Sequence, residues 1–365
     1  MRITNVIQCT NLGGMEQASL RVMIALKARG HRIRVISLHK LGGLRALLDA
    51  AEIPAVGVGY RGPAGVFSFA ELNAAICQTA ADAIIMTGHN LTASIAISGV
   101  PRCRRLLACH YHHEGVMSAW QWRLLYRIAR MKFGSITFPS DYVRREAERL
   151  DPALIAVSRT LRNPIPLPPA VTHHERRVCR EKLGLPTNAQ IVGNAGWLIP
   201  RKRFDVFLDT CAILLRKQAN LMVAVAGDGT EANNLRGQAR ALGIADKVRW
   251  LGWLENTSDF YRSLDLVIFN SDSDALGNTP LEAMSHGVPV VASVRRGGLG
   301  EIIRHGVSGL LFDNHDVEAL ANAAAEVLTG AHPGLARAGR DRIAETANPA
   351  AIAAVFEQLL GGRPT

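Results

Sequence analysis

Residues 265–301 constrain the fold more than any other stretch, because an apolar strand candidate, LDLVIFN, runs through a short polar loop straight into a helix. Two carboxylates, Asp274 and Glu282, bracket the seven residues ALGNTPL. Loops at the carboxyl ends of strands are where open α/β sheets gather ligands. Pro280 suits the first helical turn, where its missing N–H leaves nothing unpaired. The backbone over Gly277, Asn278, Thr279, Pro280 and Leu281, at the positive end of the helix dipole, is expected to face an anion such as a diphosphate. Glu282 is placed in the first turn, within reach of ligand hydroxyls, and Asp274 on the loop. A simple helix-capping role for Glu282 competes with that reading.

The same alternation of apolar runs with helix-like amphipathic segments extends through the chain, the pattern of parallel sheets wrapped by helices. The fold class is therefore α/β, and 365 residues call for two domains. In the first half, strands are expected over 3–9, 32–38, 55–58, 83–87, 105–109 and 135–139, with a helix over 15–29 that ends at Gly30. The proline cluster PIPLPP after Asn163 can continue neither helix nor central strand and reads as a linker. The second half follows with IVGNAGW, the helix Phe204–Lys217, LMVAVAG, a helix over 231–242 and VRWLGW. These runs divide the chain into Rossmann-like domains over 1–165 and 166–345, with a last helix around 350–360 in a tail over 346–365.

Nearly half the residues (48%) are hydrophobic and 20% are charged, a globular rather than disordered composition. No apolar run approaches the ~20 residues that span a bilayer, and MRITNVIQCTN enters a strand without a signal-type apolar region, so a cytoplasmic location is expected. Six cysteines lie scattered with no CxxC pair, which suits reduced thiols rather than a disulfide or zinc framework. Through residue 170 the chain carries 21 Lys+Arg against 10 Asp+Glu, and thereafter 21 against 21. All the excess positive charge thus falls in the N-terminal half. It points to an anionic partner there, a phosphate-bearing acceptor or an anionic membrane face before nucleic acid, with a solubilising surface as the competing explanation.

The stretch SDSDALGNTPLEAMSHGVPVVAS, with the GGLGEII and GVSGLLF that follow, resembles the donor-site signature of the retaining GT-B glycosyltransferases of family 4. In that family two glutamates with seven residues between them handle donor sugar and ribose. The resemblance implies the sugar for Asp274, one methylene shorter than the family's glutamate, and the ribose for Glu282. Three further segments fit the same family. TNLGGMEQASLRVMIALKARGH resembles its opening strand, glycine turn and helix, with Gly13 and Gly14 letting the backbone approach donor phosphates or acceptor. GNAGWLIPRKRF resembles its GRLxxxKG segment, where an arginine and a lysine neutralise the leaving diphosphate. Lys202 takes the lysine position and Trp197 the arginine position, a departure for which Arg201 or Arg203 is a candidate substitute. Without one, a charge-assisted contact of roughly 1.5 to 3 kcal/mol is lost.

RRLLACHYHHEG places His110 at a strand end, where it aligns with the histidine that many members keep beside the donor sugar. Zinc binding by the HxHH run and a structural histidine are the competing readings. Base recognition falls by resemblance to VRWLGWLEN around Gly252 and Trp253, with plain packing as the alternative for Trp253.

Two tempting motifs are set aside. GVGYRG matches GxGxxG, but Pro63 follows at once, no convincing helix opens there, and the acid expected about 20 residues on is missing. Asp272-Ser273-Asp274 spells the DxD of manganese-dependent transferases, whereas the LEAM helix beside it argues for metal-independent chemistry in which amides and Lys202 replace the cation. AWQWRLLYRIARMKF interleaves aromatics and leucines with Arg123, Arg127, Arg130 and Lys132; a buried stripe with a basic outer face is favoured over a lipid-lying helix.

The resemblance therefore implies two Rossmann-like domains in the GT-B arrangement, their parallel sheets facing a central cleft. It implies retaining transfer of a sugar from a nucleoside diphosphate donor to an acceptor hydroxyl, with no cofactor, no metal and no nucleic-acid partner. The acceptor is open, an anionic or lipid-linked one being a candidate, as is peripheral contact with a membrane face. A sugar-nucleotide 2-epimerase and a non-catalytic nucleotide-sugar-binding module are the alternatives.

Overall fold

The computed structural model describes residues 1–11, 13–59, 66–88, 90–98, 104–108 and 117–361. The chain divides into two compact units, one formed by Met1–Pro164 with Ala347–Thr365 and the other by Ile165–Thr346. Among the described residues no helix is long and apolar enough to cross a membrane.

The first unit carries seven strands, β1 (Arg2–Ile7), β2 (Arg32–Ser37), β3 (Ala55–Gly57), β4 (Ala83–Thr87), β5 (Arg104–Ala108), β6 (Ser135–Phe138) and β7 (Ser158–Thr160). They form one parallel sheet in the order β3-β2-β1-β4-β5-β6-β7. Strands covered on both faces read as unbroken apolar runs, and β4, AIIMT, is buried along its whole length. The edge strand β7, SRT, has no such signature and was not expected; its register against β6, Ile136 opposite Ser158, defines it instead of its own composition. A helix, Val66–Gln78, does open shortly after the GVGYRG segment, contrary to the expectation that none would. Its first residues follow stretch 60–65, which lies outside the described residues.

The second unit repeats the plan with β8 (Gln190–Ala195), β9 (Leu221–Ala226), β10 (Val248–Gly252), β11 (Leu266–Asp274), β12 (Val290–Gly297) and β13 (Leu310–Phe312). All run parallel in the order β10-β9-β8-β11-β12-β13. Each sheet thus starts in its middle and reverses direction once, between β1 and β4 and between β8 and β11. The reversal leaves a crevice beyond the carboxyl ends of those two strands.

The C-terminal helix Pro349–Gly361 is part of the first unit. Ile352, Ala353, Phe356 and Leu360 are buried with Leu20, Met23 and Leu26 of the helix Gly14–Ala28. Its Glu357 carboxylate accepts from Arg29 and from His31 Nε2. Those two hydrogen bonds hold the carboxyl far below its ordinary value of 4.5, at about 2. Phe356 is 3% exposed. Phe356→Ala is expected to destabilise this unit by about 3 kcal/mol, from lost burial plus the cavity left behind. Urea unfolding followed by near-UV circular dichroism measures it, and a loss below about 1 kcal/mol would show that the helix contributes little to this core.

Candidate functional site

The crevice of the second unit arises because β8 and β11 pair only at Val192–Leu266 and Gly193–Val267 and then part. β11 runs on beside β12 as far as Asp274 opposite Gly297. Thr279 spans the gap, its hydroxyl donating to the Ala195 carbonyl at the end of β8 at 2.8 Å. Close backbone approaches hold the surrounding loops. A Cβ on Gly227 would lie 1.9 Å from the Gly196 carbonyl oxygen, and one on Gly297 1.9 Å from that of Asp274, so neither position admits a side chain.

Asp274 ends β11 and meets Lys202, which ends the 3-10 turn Pro200–Lys202 after β8. The two form an ion pair, Lys202 Nζ to Asp274 Oδ2, with side chains 17% and 13% exposed. Burial alone would raise the Asp274 carboxyl. The Lys202 charge and hydrogen bond, with Arg201 and the Gly277 amide, outweigh burial and hold it below the ordinary 3.8. The Gly277 amide donates to Asp274 Oδ1 at 3.1 Å, so the same carboxylate fixes the start of the helix Asn278–Ser285.

That helix corrects two expectations. Glu282 is its fifth residue and stands in the second turn, not the first. The predicted anion cradle over five residues is also narrower: the Gly277 amide is committed to Asp274, Leu281's reaches the Gly277 carbonyl at 3.5 Å, and Pro280 has none. Glu282 is 9% exposed and accepts from the buried Tyr261 hydroxyl at 2.9 Å. Its carbonyl accepts from His286 Nδ1 at 2.8 Å, and Ser258 Oγ lies 3.0 Å from His286 Nε2. Burial lowers the His286 pKa, favouring the neutral ring in which Nδ1–H donates and Nε2 accepts from the serine. Tyr261, Ser258 and His286 form a supporting shell that sequence reading missed. They sit 21, 24 and 4 residues from Glu282, and nothing in their local pattern links them to it.

The two candidate substitute arginines differ. Arg201 donates to the Ser273 carbonyl, at the end of β11. Arg203 is turned away into a fork on Asp205, at 2.9 and 3.0 Å, with a further contact to Asp272 at 3.2 Å. It stands at φ +45°, a conformation that costs a non-glycine residue about 1 to 2 kcal/mol. Asp272 also lies 3.2 Å from His315 Nε2, while Asp274 is matched by Lys202, so the DxD acids face separate partners. Among the described residues no cluster of three or more His, Cys, Asp or Glu side chains could hold a metal ion.

Trp197 follows β8, is 44% exposed, and packs against the half-buried Trp253 with ring centroids 4.3 Å apart. The Gly252 carbonyl accepts from the Gly227 amide at 2.7 Å. In the first unit, Gly13 and Gly14 stand where the helix Gly14–Ala28 begins after β1. A Cβ on Gly13 would fall 2.3 Å from Glu16 Oε2. His110 lies outside the described residues, as do Cys103 and Cys109; Cys9, Cys77, Cys179 and Cys211 are free thiols.

Asp274→Asn removes one charge from the Lys202 pair while keeping its shape. It is expected to cost the second unit roughly 1 to 3 kcal/mol at neutral pH, since a buried ammonium loses its countercharge. The folded carboxyl titrates below its unfolded value, so the wild-type advantage is complete above about 3.8 and fades as pH falls through the folded value. Unfolding titrations at neutral pH and near pH 3 check this; equal stability of the two proteins at neutral pH would refute the assignment.

The profile of the family described as glycosyl transferases group 1 matches residues 175–348, which contain Lys202, Asp274, Glu282 and their partners in the second unit. A lipopolysaccharide core biosynthesis glycosyltransferase, LpsE of Rhizobium meliloti (strain 1021), is 32% identical over 51% of this chain and 54% of its own length. The chain thus spans about half of that relative. The lipopolysaccharide core biosynthesis mannosyltransferase LpsB of the same organism is 31% identical over 65% of this chain and 76% of its own length. Among solved structures, HepE of Anabaena in complex with UDP and glucose superimposes with a TM-score of 0.87 at 22% identity, over 99% of this chain and 100% of that one. That likeness shows the fold, two Rossmann-like units of the GT-B type. Together with the match to LpsB, these observations place the chain in the glycosyl transferases group 1 family.

Proposed function

We propose that this protein transfers a hexose from a nucleoside diphosphate donor to an acceptor hydroxyl, with retention at the anomeric carbon and without a metal ion. The Lys202–Asp274 pair at the β8/β11 crevice carries the reading: a cation and an acid held together at the mouth of a helix whose Glu282 is fixed by Tyr261. HepE binds UDP and glucose, which favours a uridine diphosphate hexose as the donor here.

In this reading the diphosphate lies between Lys202 and the first turn of the helix Asn278–Ser285, where ammonium and dipole stabilise the charge that develops on departure. Glu282 accepts from ribose hydroxyls and Asp274 from the sugar. The bond from the anomeric carbon to the diphosphate oxygen breaks with its electron pair leaving on oxygen. The acceptor oxygen then bonds to the same face of that carbon, and its proton passes to the departing phosphate. The family resemblance adds His110 as a residue for the donor sugar. The acceptor is an anionic or lipid-linked hydroxyl compound, consistent with the excess of basic residues before position 170.

Lys202→Ala is expected to lower turnover by about 100- to 1000-fold, the usual effect of removing one group aimed at developing charge. Donor consumption with a panel of hydroxyl acceptors, followed by anomeric analysis of the product, measures it. Equal rates in the two proteins would refute the role of Lys202, and an inverted linkage would refute the retaining course. Epimerised sugar formed from donor alone would assign the pocket to an isomerase.

A further inference from the structure

The second unit carries a groove of about 820 Å³ at the edge of its sheet opposite the crevice. Thr187, Leu264 with Asp265, and Pro289 form part of its wall, and they stand just before β8, β11 and β12. The groove therefore opens at the amino ends of strands whose carboxyl ends carry the Lys202–Asp274 pair. Its other wall is the helix His173–Lys182, which contributes His173, His174, Arg176, Arg177 and Arg180. Three guanidinium groups thus meet one lining carboxylate, that of Asp265. Arg176 donates to Asp265 Oδ1 at 2.9 Å and Arg180 to Oδ2 at 2.7 Å, so a single acid serves two arginines. Arg180 is 5% exposed and gives its remaining donors to the carbonyls of Ser263, Thr187 and Ala189. Those bonds fix it in the wall without cancelling its charge.

We propose that this groove is a second ligand site, which takes a phosphorylated small molecule. Its volume falls within the roughly 300 to 1,000 Å³ of small-molecule sites. Arg177 supplies the exchangeable charge: it faces Glu181 at 3.8 Å, with the two side chains 60% and 59% exposed, and such a surface pair yields readily to a better partner. The planar guanidinium fork matches phosphoryl oxygens. The other acid in the first turn, Glu175, is turned onto the Thr172 amide at 2.8 Å. Thr172 Oγ1 in return accepts the Glu175 amide at 3.2 Å, which leaves the amides of His173 and His174 for an anion at the positive end of the helix dipole. Leu264 and Pro289 offer apolar surface to the rest of the molecule. The wall also runs on into the shell around Glu282. Leu264 comes three residues after Tyr261, and Gly287, which lines the groove, directly follows His286.

Hydrogen-exchange mass spectrometry of the full chain titrated with inorganic pyrophosphate decides the matter. Saturable protection is expected over residues 172–182 and 286–288, and none from sodium chloride at matched ionic strength. The double variant Arg177→Gln with His174→Gln should raise the half-saturating concentration at those segments about tenfold, the usual cost of a lost charge-assisted contact, with unchanged far-UV circular dichroism. Arg216→Gln, which removes an exposed arginine from the helix Phe204–Lys217, should leave it unaltered. The inference does not rest on the donor chemistry proposed above, and Lys202→Ala separates the two: protection over 172–182 is expected to persist in that variant whatever becomes of binding at the crevice. Absent or non-saturating protection over 172–182 in the wild type, equal protection by chloride, or an unchanged half-saturating concentration in the double variant would overturn the proposal. So would loss of that protection in Lys202→Ala, which would show pyrophosphate acting from the crevice.

Discussion

The parting of β8 from β11 after two paired positions is the constraint on which the site depends. Up to Gly193 and Val267 the strands share a ladder, and Gly193 is tightly packed: a Cβ there would come within 2.7 to 2.9 Å of Leu264 and Phe260 side-chain atoms. Beyond that point nothing bridges the strands directly, and the sheet's open polar groups must find other partners. Thr279 takes the Ala195 carbonyl, Arg201 the Ser273 carbonyl, and Gly227 the Gly252 carbonyl. The helix Asn278–Ser285 is therefore anchored to both strands at its first turn. Its dipole points along the crevice because of where these few bonds hold it. Close glycine contacts at Gly227 and Gly297 bring the loops near enough for a 3-10 turn and a strand end to share one ion pair.

Much of this was legible in the sequence, because its strongest signals are local. Apolar runs such as LMVAVA mark a parallel strand wherever they occur, and the helix Phe204–Lys217 was delimited to the residue. The order Asp, Gly, Asn-Thr-Pro, Glu pointed to a strand end running through a short loop into a helix, as β11 and the helix Asn278–Ser285 do. What escaped was defined by pairing across long separations. The strand β7 has three residues, all of them polar or charged, and exists because β6 lies beside it. Glu282 is held by Tyr261 through a bond that no spacing rule announces. The turn placement of Glu282 failed for a different reason. Pro280 does stand in the first turn, but Gly277 in a left-handed conformation caps the helix and starts it at Asn278, which puts Glu282 in the second turn.

The charges in the crevice are nearly balanced within the protein itself. Lys202 is matched by Asp274, Arg203 by Asp205 and Asp272, and Trp197, paired with Trp253, supplies aromatic surface where the resemblance expects a cation. A diphosphate arriving here must therefore compete for an ammonium that already has a partner. Removing either member of a buried pair outright leaves an unmatched charge and is costly, so on the proposed reading the change is an exchange. The diphosphate takes up Lys202 while Asp274 keeps the Gly277 amide and turns its other oxygen to a sugar hydroxyl. On that reading the length of Asp274 serves the exchange. Its short side chain keeps one oxygen on the backbone amide whichever partner the other oxygen serves, so the helix mouth stays in place as the countercharge changes hands.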